Sequence, residues 1–511
     1  MSPEQAKICY EIRELNPGVH KGKNDHHELS KSKSSQYQKS LKKLTDCAQN
    51  FINPFEYEGN DLINLVSMTV APPEVAHDVT SMPVQGFKQH ETFVQQRIVL
   101  QTVKFWDALP QKKLKLFSST VKAVQVKTTD GVVQIKEDRK LFARVVLLSR
   151  SRPDLKLQEC IGQYELSIVP RSMFSSDGSM HHMQVKSKLL HQLEALQNKE
   201  LSEDPDEPDE AEAATNPVMS VAVIDAMAEL NSLQLKKDTN SISDLSDQFS
   251  TKIFRKYSDY SEVHVVFDTY LENSLKNACR DKRQHGKPPV QYKIEANTSI
   301  KSVPMKKLLS HIKTKDSLTE YLSNDIIRKA NAENKCIVVS YKGTAASSRI
   351  CVVDLQSTQE EADTKIILHA LHATKRGASA FKIFTPDTDV LVLLVSWYHQ
   401  LPKKTSFCLM GPKPREIKVD QIYAKLGPQR ADALPGMHAI SGADVTGAFS
   451  GKTKSAFWSR LMDANDRVLQ ALSSLGRSFY LTDEIYSGLE EYLCSVYLKE
   501  PRIEKLCDLR W

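Results

Sequence analysis

Nine cysteines are spread over 511 residues, and no two of them stand in a Cys-x-x-Cys spacing. That absence removes the usual signals of a zinc site or a disulfide framework, so reduced thiols are expected. No apolar run approaches the roughly 18 residues of a membrane span. The opening Met1-Ser2-Pro3-Glu4-Gln5 also lacks the apolar core of a signal peptide. An intracellular protein, nuclear or cytoplasmic and without a membrane partner, is therefore expected. A strong charge of one sign is missing too: Lys and Arg number 69 against 63 Asp and Glu, giving a net charge of +6 and a pI near 8.6. This mild basicity admits nucleic acid as a partner without requiring it.

What is present is an ordinary globular composition, 40% hydrophobic and 26% charged, with a mean hydropathy of −0.40. The length allows about two to four domains. Residues 21–43 hold seven lysines against Asp25 and Glu28, which suits either a solvated helix face or a flexible basic arm over 1–44. Residues 45–200 read as a separate mixed α+β region. Helices and loops gather around Phe51, Phe55, Phe93, Phe105 and Trp106. Alternation from Val121 to Val126, a Thr129-Asp130-Gly131 turn and Val132 to Ile135 then predict a β-hairpin. A buried segment over 141–148 and an amphipathic helix over 185–200 follow, and no catalytic constellation is visible in this N-terminal third. The run Glu203-Asp204-Pro205-Asp206-Glu207-Pro208-Asp209-Glu210 cannot bury a core, so 201–216 is expected to be an acidic linker.

From 217 to 460 apolar strands alternate with helical stretches, at 220–224, 263–267, 336–340, 350–354 and 380–384, with 390–395 opening a helix. This pattern predicts an α/β fold, a mostly parallel sheet flanked by helices on both faces, and 461–511 extends it with helices. Three of these strands run directly into acidic residues. Val221-Ala222-Val223-Ile224 ends in Asp225, Val263 to Phe267 ends in Asp268, and Phe381 to Thr385 is followed by Pro386, Asp387 and Asp389. Ligands of such sheets sit at the carboxyl ends of the strands. Carboxylates gathered there repel one another unless a cation lies among them, and oxygen-only ligands suit Mg²⁺ or Mn²⁺, two of which can clamp a phosphodiester. The plainer alternative is that each Asp caps the helix that follows it.

Further candidates lie between and after these strands. Lys276, Arg280 and Arg283 fall at i, i+4 and i+7 on one helix face just past Asp268, where a scissile phosphate would lie, although solvated charged faces are common. Glu361 and Asp363 precede the apolar positions 366, 367, 370 and 371 of a helix, and they converge only if the turn before that helix bends them inward. Gly451-Lys452-Thr453 is like the end of a P-loop, but the required first glycine is Thr446, so an ATPase is rejected. Asp444 between glycines, with Gly447, Gly451, Lys452 and Lys454 after it, could instead add a carboxylate and grip a DNA phosphate.

Val-Ile-Asp-Ala at 223–226, Val-Val-Phe-Asp at 265–268, Glu-Ala-Asp at 361–363, Thr-x-Asp-x-Asp-x-Leu at 385–391 and Ser-Gly-Ala-Asp at 441–444 occur in the order found in the flap endonuclease, or 5′-nuclease, branch of PIN-like nucleases. Residues 218–460 resemble that family. The N-terminal third resembles only uncharacterised proteins. The resemblance implies a PIN-like sheet and a metal-dependent nuclease acting on DNA, structure-specific or directed at 5′ ends. It implies that Asp225, Asp268, Glu361, Asp363, Asp387, Asp389 and Asp444 match the acidic ligands of two Mg²⁺ or Mn²⁺ ions. It also makes Lys276 and Arg283 similar to the family's catalytic basic pair. Asp363 stands where the family more often has Glu. Gly447 to Lys454 is similar to its helix–two-turn–helix clamp, without the usual Gly-Ile-Gly-Pro run. A PIN-type ribonuclease using the same carboxylates, or a noncatalytic nucleic-acid-binding scaffold, are the alternatives.

Overall fold

The computed structural model describes residues 31–50, 59–64, 70–111, 114–117, 127–128, 131–132, 169–183, 187–198 and single positions between 156 and 185. From 219 to 510 it describes all but 272, 273, 275–288, 412, 445, 479 and 499–502. The chain divides into two compact units, one of Met1–His90 with Lys113–Arg152, the other of Glu91–Lys112 with Pro153–Trp511. In the first unit the basic stretch is helical over Lys31–Asn50, with residues 35–40 exposed. The expected hairpin is present as Lys127–Thr128 paired antiparallel with Gly131–Val132. Its outer residues, the segment 141–148 and the acidic run 201–216 lie outside the described residues.

The second unit is built on a seven-stranded sheet. Its strands are β1 (Ser220–Asp225), β2 (Glu262–Val266), β3 (Ile337–Tyr341), β4 (Thr344–Ser347), β5 (Ala380–Thr385), β6 (Lys404–Leu409) and β7 (Arg415–Lys418), in the order β4-β3-β2-β1-β5-β6-β7. The five inner strands are parallel and both edge strands antiparallel. Alternate residues of the inner strands feed two cores. Val221, Val223, Phe381 and Ile383 enter one face, while Ala222, Ile224, Val263 and Val265 enter the other. A strand buried on both faces must be apolar at successive positions, which is why β1 reads as an unbroken hydrophobic run.

Helices cover both faces. The second face is covered by α3 (Ile242–Lys256) and α4 (Ile312–Ala332). The first is covered by α1 (Ser187–Asn198), α5 (Ala362–Lys375), α6 (Thr388–Trp397), α7 (Val419–Leu426), α8 (Pro428–Ile440), α9 (Lys454–Met462), α10 (Asp466–Ser474) and α11 (Asp483–Tyr497). The short α2 (Ala226–Asn231) leaves the end of β1. The helices expected over 185–200 and from 390 are therefore α1 and α6. No described helix is long and apolar enough to cross a membrane.

Two edges differ from the expectation. Residues 350–354 form no strand: Val353–Leu355 is a 3₁₀ turn with Cys351 and Val353 exposed. The edge beside β3 is taken instead by β4, joined to it through Lys342 and Gly343, both with positive φ (48° and 76°). Positive φ at both central residues is the type I′ hairpin geometry, and it leaves the later apolar run no partner. At the other edge β6 and β7 are half-polar strands. Only Thr405, Phe407 and Ile417 are buried there, too few for a clear apolar run.

A buried polar chain ties the sheet to α5. His264 Nδ1 lies 2.7 Å from His369 Nδ1, His264 Nε2 meets Glu262, and His369 Nε2 meets the Ser340 hydroxyl. Arg376 at the end of α5 donates to both Glu262 oxygens at 2.8 Å. Burial opposes ionisation of Glu262, yet the His264 and Arg376 partners hold its carboxyl down at about 2. Burial, with His264 beside it, pushes His369 well below the usual histidine range. This network sets the height of α5 on the sheet, and α5 begins among the candidate carboxylates.

Candidate metal centre

The chain runs from β1 outward through β2 and β3, then returns to the other side of β1 as β5 and β6. The strand order therefore reverses between β1 and β5, where open α/β sheets form their crevice. Asp225 ends β1, Asp268 follows β2, and Asp387 and Asp389 follow β5.

The capping alternative is realised, and it organises the edge. Asp225 Oδ1 accepts from the Ala228 amide at 3.0 Å as the N-cap of α2, and Asp387 Oδ1 accepts from the Asp389 amide at 3.0 Å as the N-cap of α6. The N-cap residue of α5, Glu361, makes no side-chain cap; Asp268 reaches across instead and accepts from the Ala362 amide at 2.9 Å. Each cap uses one carboxylate oxygen and leaves the group at the strand edge. Thr385, fully buried at the end of β5, joins two of them: its hydroxyl takes the Asp387 amide at 3.2 Å and faces Asp225 Oδ2 at 3.4 Å.

Asp363, Asp387 and Asp389 each bring one oxygen to a common point, the three atoms lying within 4.8 Å of one another. Oxygens bound to one hard cation at about 2.1–2.5 Å stand at most about 4–5 Å apart, so the all-oxygen set fits Mg²⁺ or Mn²⁺. Asp363 thus converges with the Asp387 pair, although the motif order groups it with Glu361. Asp444 lies half-buried in the turn beyond α8. Asp225 and Asp268 are close enough for the charge of one to oppose ionisation of the other. Burial first, then the Asp268 carboxylate, push Asp225 from its ordinary 3.8 up to about 6, against the hydrogen bonds from Ala228 and Thr385.

This shift carries a sign. In metal-free protein the folded chain keeps the Asp225 proton after the unfolded chain has lost it, so stability falls as pH rises from about 4 to about 6. Asp225→Asn keeps a capping oxygen and should flatten that part of the curve. Urea unfolding in EDTA across this window checks it, and an unchanged slope in the variant would refute the assignment.

Three site features were not legible as such in the sequence. Lys365 is buried, and its Nζ donates to the Phe267 carbonyl at 3.1 Å and the Thr269 hydroxyl at 2.6 Å, on either side of Asp268. Its signal was a charge on the apolar stripe Ala362, Ile366, His369 and Ala373. His438 of α8 approaches Asp389, with Nε2 3.0 Å from Oδ1. Residues 172–181 hold the turn that carries Asp444, for Ala448 donates to the His181 carbonyl at 2.9 Å and Ser450 to the Ser172 carbonyl at 2.8 Å.

The expected phosphate grip is placed differently. Lys454 is fully buried, donating to His438 Nδ1, the His438 carbonyl and Ser441, so it supports the site from behind and presents no charge to a phosphate. Lys452 is half-buried with its ammonium 4.2 Å from the Tyr497 ring centroid. Gly447 packs on Met180, whose sulfur would lie 2.7 Å from an added Cβ, while Gly451 is exposed at φ +68°. Thr446, where a P-loop would need glycine, donates to the Ala439 carbonyl and accepts from the Ala443 amide, both at 2.7 Å. It closes the turn after α8. Lys276, Arg280 and Arg283 lie outside the described residues.

No family model and no curated protein matches the chain. Among solved structures it is similar to a pseudo-enzyme form of the bacteriophage T5 flap endonuclease in a product complex with DNA and metal ions. The likeness has 11% sequence identity and a TM-score of 0.31, and it covers 57% of this chain and 89% of that one.

Proposed function

We propose that the chain is a metal-dependent nuclease that hydrolyses phosphodiester bonds of DNA with the aid of two divalent ions. The observation that carries this reading is the convergence of Asp363, Asp387 and Asp389 at the carboxyl edge of a parallel sheet, beside its reversal of strand order. Asp363, Asp387, Asp389 and Asp444 would hold one ion and Asp225, Asp268 and Glu361 the other. Divalent ions at such a site lower the pKa of bound water and neutralise charge on a phosphoryl group. The chain itself supplies rigid placement. Asp225, Asp268 and Asp387 are fixed by helix-start amides and Thr385, so the carboxylates need no reorganisation to receive charge. Lys276 and Arg283 would steady the scissile phosphate, and Arg280, Gly447, Gly451 and Lys452 would contact the nucleic-acid backbone.

The test incubates the full chain with labelled single-stranded, duplex and 5′-flap DNA and with RNA, in Mg²⁺, Mn²⁺ or EDTA. Cleavage of DNA that requires the metal is expected, together with a rise in thermal stability on adding it, about 2.7 kcal/mol at a hundred times the dissociation constant. Preference for RNA would turn the reading to a ribonuclease. Folded protein that neither cleaves nor gains stability from either ion would overturn it.

A further inference from the structure

We infer that His438, held by the buried Lys454, is a positioning residue that orients Asp389 toward a divalent cation; this rests on the metal-centre reading above. His438 is 7% exposed and sits in the last turn of α8. Its two ring nitrogens face different partners. Nδ1 lies 3.1 Å from Lys454 Nζ, which also donates to the His438 carbonyl at 3.0 Å and to Ser441 Oγ at 2.9 Å. An ammonium only donates, so Nδ1 must accept and the ring proton is carried on Nε2. Nε2 is buried and meets no aligned hydrogen-bond acceptor among the described residues, yet it stands 3.0 Å from Asp389 Oδ1. That separation is within hydrogen-bond range, so a carboxylate turned to accept would complete the bond.

The same tautomer excludes the other role open to a histidine beside a metal. A ligand nitrogen needs its lone pair, and Nε2 has given its own to the proton that Lys454 forces there. His438 therefore acts on the carboxylate. By donating to Oδ1 it restricts the rotation of Asp389, whose carboxylate brings one oxygen to the point shared with Asp363 and Asp387. Carboxylates that ligate metals are commonly held in this way, and losing such a partner typically weakens metal binding about 10–100-fold. Lys454 completes the arrangement by its place at the start of α9, so that two helices fix one imidazole ring. The Lys454 cation also lies against the carbonyl end of α8, where a positive charge is favoured.

The test measures Mn²⁺ binding by calorimetry, independently of any cleavage. His438→Leu should bind Mn²⁺ about 10–100-fold more weakly than wild type, with metal-free thermal stability and circular dichroism showing a folded chain. His438→Gln, whose amide nitrogen reaches the Nε2 position, should recover most of that affinity, whereas His438→Asn, which stops short of it, should not. If His438→Leu does not fold, the Gln and Asn variants decide the matter between them. Wild-type affinity in a folded His438→Leu, or equal affinities for Gln and Asn, would overturn the inference. A wild type that binds no Mn²⁺ would overturn the metal centre with it. Mn²⁺ binding that follows the expected order in a chain that cleaves no nucleic acid would overturn the nuclease and leave the role of His438 standing.

Discussion

Changing Asp387 and Asp389 together to asparagine is expected to reduce metal-dependent cleavage by roughly 10³-fold or more, the rate equivalent of the several kcal/mol that a bound divalent ion contributes to a phosphoryl transition state. The chain should remain folded. Asparagine is as good an N-cap as aspartate, so the Asp387 cap on α6 survives the exchange, and residue 389 contributes only its amide to that cap. Metal-free stability should be unchanged or slightly raised, because two of the three converging carboxylates lose the charge that opposes the third. The stabilisation by Mg²⁺ or Mn²⁺ expected of the wild type should vanish. Single-turnover cleavage and thermal unfolding with and without metal measure all three effects. Retained cleavage in the double variant would remove these residues from the chemistry. A large loss of metal-free stability would show that they serve the fold first.

Gly436→Ala should destabilise the second unit by about 3 kcal/mol, the upper end of the usual cost of overpacking. Gly436 lies inside α8 at a helix crossing, where an added Cβ would stand 2.0 Å from the Leu472 carbonyl oxygen of α10 and 2.8 Å from its carbon. Backbone is the obstacle, so no side-chain rotation can relieve it. The helices must separate, and His438, two residues on, moves with α8. Denaturant unfolding should therefore show the stability loss, and Mn²⁺ titration of the folded fraction should show weaker binding in the same variant. A neutral effect on stability would mean that α8 and α10 approach less closely than 2.0 Å implies.

The strands before Asp225, Asp268 and Asp387 were legible because each is a short, largely apolar run followed by a carboxylate; burial on both faces leaves few other residue types for β1 and β2, while β5 fully buries alternate residues only. The helices α1 and α6 were legible from their apolar residues in the same way. The β3–β4 hairpin was missed, since its signal is only a Lys-Gly pair able to take positive φ, while Ile350 to Val353 offered a more hydrophobic decoy. Among the site residues, Asp387 and Asp389 could be named as acidic neighbours of a strand end and Asp363 as an acid at a helix start, but the three could not be named as a group distinct from Glu361. Spacing along the chain says nothing of how a helix is rotated on its sheet.

The sequence by itself determined the class of fold and most of the helices and strands that carry the carboxylates, because these follow from local periodicity. Tertiary structure alone decided that β5 lies beside β1, that Asp268 caps a helix 94 residues later, and that Lys454 turns a histidine of another helix toward Asp389. Those pairings depend on how whole helices pack across a sheet, a balance of buried area and polar partners to which no short stretch of sequence contributes more than a part.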